Sequence, residues 1–242
     1  NLLLFTACES ENHNNLDIVK YLVEQGANVR AEGYENNKTP LHYACENGNL
    51  DVVKYLVEQG SVMEATDGDD DNTPLHLACK SGNFYVVEYL VDHGADMKAK
   101  CEYNGTPLHI ACENGNLELV KYLVEQGADK EAKDDNNRTP LHNACLSGNF
   151  DVVKYLVEQG ADMEAKNNNN ATPLHLACEE GNLYIVKYLV EQGADMEAKN
   201  NNNSTPLHIA CESGNLDVVK YLVEQGADME AKNNNNSTPL HI

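Results

Sequence analysis

Two patterns of apolar and polar positions alternate along the chain. In TPLHIACE, residues 205–212, Leu207, Ile209 and Ala210 carry the apolar side of a short helix. Thr205 suits the N-cap, and Pro206 sits where the first backbone N–H has no helical partner anyway. Gly214 then offers a left-handed stop. In NLDVVKYLVEQG, residues 215–226, the pattern restarts. Asn215 is expected to cap a second helix that buries Leu216, Val218, Val219, Leu222 and Val223 and ends at Gly226. Asp217 is well placed in its first turn. Residues 227–237 lose the helical period and fill with turn formers, so they read as an extended turn or hairpin.

This unit recurs. Thr39, Thr73, Thr106, Thr139, Thr172, Thr205 and Thr238 each open TPLH, at intervals of 34 residues once and 33 thereafter. The whole chain is therefore read as one elongated array, residues 1–242, and not as globular domains. Its units are 39–72, 73–105, 106–138, 139–171, 172–204 and 205–237, with a partial unit at 238–242. Unit 1–38 is atypical, with LLLF where TPLH is expected and extra residues between its helices and in its finger. One such unit cannot bury its own apolar face, so neighbours must complete the core. No polar terminal unit is visible at either end, which suggests a piece of a longer array or one end of an assembly.

The asparagine runs fit the period. Asn37, Asn104, Asn137, Asn170, Asn203 and Asn236 stand two residues before each threonine, with Asp71 as the one substitute. A tight turn there needs positive φ, which asparagine accepts best after glycine.

Repeated TPLHxAC, GNLDVVKYLV and GADMEAK blocks in a 33-residue helix–turn–helix–finger unit resemble ankyrin repeats over essentially the whole chain. The resemblance implies an all-α solenoid of stacked repeats, L-shaped in section, with hairpin fingers projecting toward a concave face. It also implies a non-enzymatic scaffold that recognises a protein partner through its fingertips and first helices. The chain varies at those places. Expected binding residues are Tyr34, Lys38, Glu46, Asn47, Asp70, Lys80, Ser81, Tyr103, Glu113, Asn114, Arg138, Leu146 and Ser147. Variety is concentrated in residues 39–171, and the two following units look like spacers. The alternative is a structural spacer or spring within a larger multidomain or channel protein.

Charge narrows the partners. The formal net charge of −22 repels phosphate, so nucleic acid and anionic membrane are poor partners and a basic protein is favoured. No stretch is apolar enough to span a membrane, so direct insertion is not expected. The chain is expected to be monomeric or to associate end to end through uncapped repeats.

Seven cysteines, Cys8 through Cys211, recur once per unit on the first helix and are expected to be free and buried. That points to a reducing, cytoplasmic compartment. Cys101 breaks the period and is expected to be the most exposed thiol.

Other chemistry finds little support. His42 with Cys45, and each later pair, has the spacing of half a zinc site, but the next pair lies a helix-packing distance away. DGDDDN at 67–72 opens like a calcium loop, yet Asn72 and Ala78 stand where glycine and glutamate are required, leaving an acidic, solvated fingertip. The N-x-[ST] sequons follow from the repeat. The tyrosines from Tyr21 to Tyr221 form a ladder expected to pack over apolar neighbours. Every histidine except His13 and His93 is periodic, so no single catalytic constellation stands out, and no cofactor or metal is expected.

Overall fold

The computed structural model describes residues 2–10, 15–34, 36–68 and 70–241. His13 and Asp69 lie outside the described residues. Within them are fourteen α-helices and a 3-10 turn, Pro239–His241, and no strand. The helices pair as α1 (Leu2–Glu9) with α2 (Asn15–Glu24), α3 (Pro40–Glu46) with α4 (Leu50–Glu58), and α5 (Pro74–Ser81) with α6 (Phe84–Asp92). The series continues with α7 (Pro107–Glu113), α8 (Leu117–Glu125), α9 (Pro140–Leu146), α10 (Phe150–Glu158), α11 (Pro173–Glu179), α12 (Leu183–Glu191), α13 (Pro206–Glu212) and α14 (Leu216–Glu224).

The chain divides into two compact units. The first holds Asn1–Ala111 with Glu118–Asp129, the second Cys112–Leu117 with Lys130–Ile242. In the first, α3 packs on α1, α4 and α5, and α4 packs on α2 and α6. In the second, α9, α11 and α13 stack in one layer and α10, α12 and α14 in the other. Each unit is thus a two-layer stretch of all-α solenoid. Its core comes from the same repeat positions each time: Leu141, Ala144, Cys145, Val152, Val153 and Leu156 are buried, as are Leu174, Ala177, Cys178, Ile185, Val186 and Leu189.

The caps follow the sequence closely. Thr172 lies in extended backbone and Pro173 opens α11. The backbone N–H of Thr172 donates to His175 Nδ1 at 3.1 Å, and His175 Nε2 meets Ser204 O at 3.1 Å. The network assigns the Nε2–H tautomer, with Nδ1 as acceptor. Each such histidine therefore pins the start of its own helix and the end of its own finger; His42, His76, His142 and His208 do the same. Burial pushes the His42, His76, His142 and His175 imidazoles below their ordinary range, to about 4 at the last three. With both ring nitrogens engaged, His175 has no lone pair left for a metal. No group of three or more His, Cys, Asp or Glu among the described residues can hold a metal ion.

Three expectations are corrected. Asn215 stands at the N-cap of α14 but makes no capping bond. Its Nδ2 instead donates to Cys178 O at 2.8 Å and Glu179 O at 2.9 Å, in the preceding repeat. Asn149 makes the same reach to Cys112 O and Glu113 O. Leu216 is not buried but 60% exposed; its counterparts Leu50, Phe84, Leu117 and Leu183 are half-buried, and Phe150 is covered by Tyr188 of the next second helix, whereas no further second helix follows α14 among the described residues. Val219 and Val223 of the same helix are half-buried. Asp67 is not a solvated fingertip; it is 3% exposed and its carboxylate accepts the Asp70 and Asn72 N–H groups.

The tyrosine ladder is half-buried from Tyr55 to Tyr221, whereas Tyr21 is 61% exposed. Lys187 Nζ sits 5.5 Å from the Tyr221 ring, and Lys20 and Lys54 stand similarly over Tyr55 and Tyr89. Phe150 meets Tyr188 edge-on at 5.7 Å. Cysteines 8, 45, 79, 112, 145 and 178 are free and buried, whereas Cys211 is half-exposed like Cys101.

Candidate functional site

The fingers are built by the first, second and fourth asparagine side chains of the run, with the third contributing its backbone. In 167–170, Asn167 Oδ1 accepts the N–H groups of Asn169 and Ala171 at 2.8 and 3.0 Å, which folds the tip. Asn170 then adopts φ 53°, as do its counterparts from Asn37 to Asn236 at 50° to 60°. The remaining groups bond to neighbouring fingers. Asn201 N donates to Asn169 O, Asn201 Nδ2 to Asn168 O, and Asn170 Nδ2 to Asn201 Oδ1 at 2.6 Å. The pattern repeats from Asn137 to Asn168 and from Asn203 to Asn234. At the finger base, Glu164 accepts the Asp195 N–H, and Glu197 accepts that of Asp228.

Between the fingers of the first unit the backbone part of this ladder runs from Gly68 N to Asn36 O at 2.7 Å and from Glu102 N to Asp70 O at 2.6 Å, and at the base Glu64 accepts the Asp96 N–H at 3.0 Å. Where the second unit has Asn168, Asn201 and Asn234, it has Tyr34, Gly68 and Glu102. These places therefore carry other chemistry. Tyr34 is 106% exposed and Tyr103 is 64% exposed. Cys101 takes the place of the tip-folding asparagine, and its sulfur faces the N–H groups of Tyr103 and Gly105.

The expected binding residues fall into three groups. Tyr34, Asp70, Lys80, Ser81 and Tyr103 are exposed on fingers or α5 of the first unit. Glu113, Asn114, half-buried Leu146 and Arg138, and exposed Ser147 belong to the second. Lys38, Glu46 and Asn47 serve the fold: Lys38 pairs with Glu46 at 2.8 Å and lies over the Tyr43 ring, and Asn47 Nδ2 donates to Glu9 O.

A groove that the sequence reading did not single out lies beside them. It encloses about 880 Å³ between α1, α3 and the first finger, and Leu2, Phe5, Glu9, Glu32, Tyr34 and Tyr43 are among its walls. Its cause is local. Phe5 stands where later repeats have the histidine of TPLH, three residues before the cysteine of the alanine–cysteine pair. A phenyl ring cannot donate to Lys38 O, which accepts only a backbone bond from Gly33 N among the described contacts. The first finger thus lacks the histidine clamp of the later repeats, and the Phe5 ring lines the groove instead. The missing histidine and the extra finger residue were the available signals.

A family model of ankyrin repeats in three copies matches residues 2–67, 63–134, 108–200 and 192–242. Comparison with curated proteins gives no match. With matched stretches over nearly its full length and the same two-helix repeat stacked within each unit, the chain belongs to the ankyrin-repeat family.

Proposed function

We propose that the chain is a non-enzymatic scaffold that binds a protein partner through its first helices and fingertips. Ankyrin repeats are in general protein–protein interaction modules. The observation that carries the reading is the contrast between fingers. In 167–236 the tips spend their side chains on one another, whereas Tyr34, Asp70 and Tyr103 are turned to solvent on a frame that the backbone already holds. Aromatic side chains in such places are the usual anchors of interfaces. The net charge of −22 favours a basic partner and disfavours nucleic acid. No helix among the described residues is long and apolar enough to cross a membrane. A cytoplasmic setting is proposed from the periodic buried thiols, which suit a reducing compartment.

A second reading assigns the uniform repeats from 172 to 237 to spacing. The asparagine bonds of their fingers support it, since they stiffen a surface without adding variety. End-to-end association through the half-exposed ends of the stack belongs with that reading.

The test is selection of binders from a displayed protein library on the immobilised chain, followed by calorimetry. Lys80→Glu with Tyr103→Ala should weaken a recovered binder at least tenfold, and Asn201→Ala with Asn202→Ala should not. The reverse order contradicts the scaffold reading.

A further inference from the structure

We infer that the groove between α1 and the first finger is a docking site for an extended peptide segment of a partner, carrying one apolar side chain flanked by lysine or arginine. This deepens the scaffold reading and rests on it.

Shape comes first. The space is of the size that holds a side chain with its flanking backbone, about 880 Å³. Phe5 and Tyr43 form one wall, with ring centroids 5.8 Å apart at 48°. The solvent-facing Tyr34 and Leu2 stand at the rim. An apolar side chain packing against these half-buried rings removes their remaining apolar surface from water.

Charge selects what flanks that side chain. The two carboxylates on the groove wall, Glu9 and Glu32, are both exposed. One cation, Arg30, shares that wall, and the nearby Lys38 is committed within the fold. Arg30 Nε donates to Gly60 O at 2.7 Å, and Lys38 is paired with Glu46. Residues 1–72 carry a formal charge of −10, the sum of −3 for 1–38 and −7 for 39–72. The field at the groove is therefore negative and its charged lining, two carboxylates against one guanidinium, is acidic on balance, which attracts a cationic segment and repels an acidic one.

The experiment uses the whole chain and three sets of fluorescein-labelled decapeptides, read by fluorescence anisotropy. One set has a central leucine or phenylalanine flanked by lysine and arginine. The second has the same centre flanked by glutamate. The third has a central serine with basic flanks. The basic–apolar set should bind at least tenfold tighter than either other set. Glu9→Lys with Glu32→Lys, and separately Tyr34→Ala, should each weaken it about tenfold, while Tyr184→Ala leaves it unchanged. Thermal melts should coincide for all variants, since every changed side chain is exposed. Equal or tighter binding of the glutamate set overturns the proposal, as does no binding by any set. Binding lost in Lys80→Glu with Tyr103→Ala but not in the groove variants overturns the groove and keeps the scaffold. Sedimentation showing a dimer that Tyr34→Ala dissolves assigns the groove to a second copy of the chain, and also overturns it.

Discussion

Asn170 Nδ2 donates to Asn201 Oδ1 at 2.6 Å, joining two fingers that are 31 residues apart in the chain. Asn201 Nδ2 returns a bond to the first of these fingers, at Asn168 O. Asn201→Ala removes both and should cost about 1 kcal/mol, because each net hydrogen bond contributes on the order of 0.5–1.5 kcal/mol and these are exposed. Asn169→Ala removes a side chain with no bond of its own among those described, and should be nearly neutral. Urea midpoints of the two variants decide it; equal loss contradicts the ladder.

The same residue tests the turn. Asn170→Gly keeps access to positive φ but loses the bond to Asn201, so it should cost somewhat less than 1 kcal/mol rather than nothing. Asn170→Val loses the bond and adds backbone strain, on the order of 1–3 kcal/mol more. Equal midpoints for glycine and valine contradict the positive-φ turn.

Gly181 and Gly214 share φ +71°, but a Cβ at Gly181 lies 2.5 Å from Asn215 Oδ1 and one at Gly214 meets nothing within 4 Å. Alanine at either should cost about 1–2 kcal/mol of backbone strain. At Gly181 it also displaces the carboxamide that binds Cys178 O and Glu179 O, so Gly181→Ala should melt below Gly214→Ala. Coincident melts contradict that role for Asn215.

How far the sequence carried the structure depended on whether a feature is local. The positive φ of Asn170, the start of α11 at Pro173 and the burial of Cys178 follow from a few adjacent residues, and they were legible. The reach of Asn215 to the preceding repeat was not, because an N-cap asparagine has a local partner available and only the stacked geometry makes the distant one better. The solvent-facing edge at Leu216 and the half-exposed Cys211 depend on what covers a repeat, which its own residues do not encode. The groove at Phe5 needed both an absent imidazole and a longer finger. Neither change names a cavity until the two are placed side by side.

The buried histidines make stability depend on pH. His142 and His175 titrate near 4 in the fold against 6.5 when free, because burial disfavours the charged ring. The unfolded chain takes up their protons first, so their contribution is full above about pH 6.5 and is lost as pH falls toward 4. Each shift corresponds to roughly 3 kcal/mol. Urea midpoints should therefore fall between pH 6.5 and 4.5, and less steeply in His175→Gln than in the parent. Identical slopes contradict the assignment of Nδ1 as an unprotonated acceptor.

Thiol reactivity should separate by burial. Cys8 and Cys79 are pushed up to about 12 by desolvation, whereas Cys101 and Cys211 are only half-buried. A native-state thiol reagent should modify Cys101 and Cys211 first and the other six only on unfolding. Uniform labelling, or fewer than eight thiols in denaturant, contradicts this.

Recognition by the first unit is the central claim, and hydrogen exchange with a selected binder in place tests it most directly. Amides in residues 30–46 and 99–107 should gain protection on binding, and those in 163–237 should not change. Protection confined to the asparagine-linked fingers of 163–237 would contradict the account.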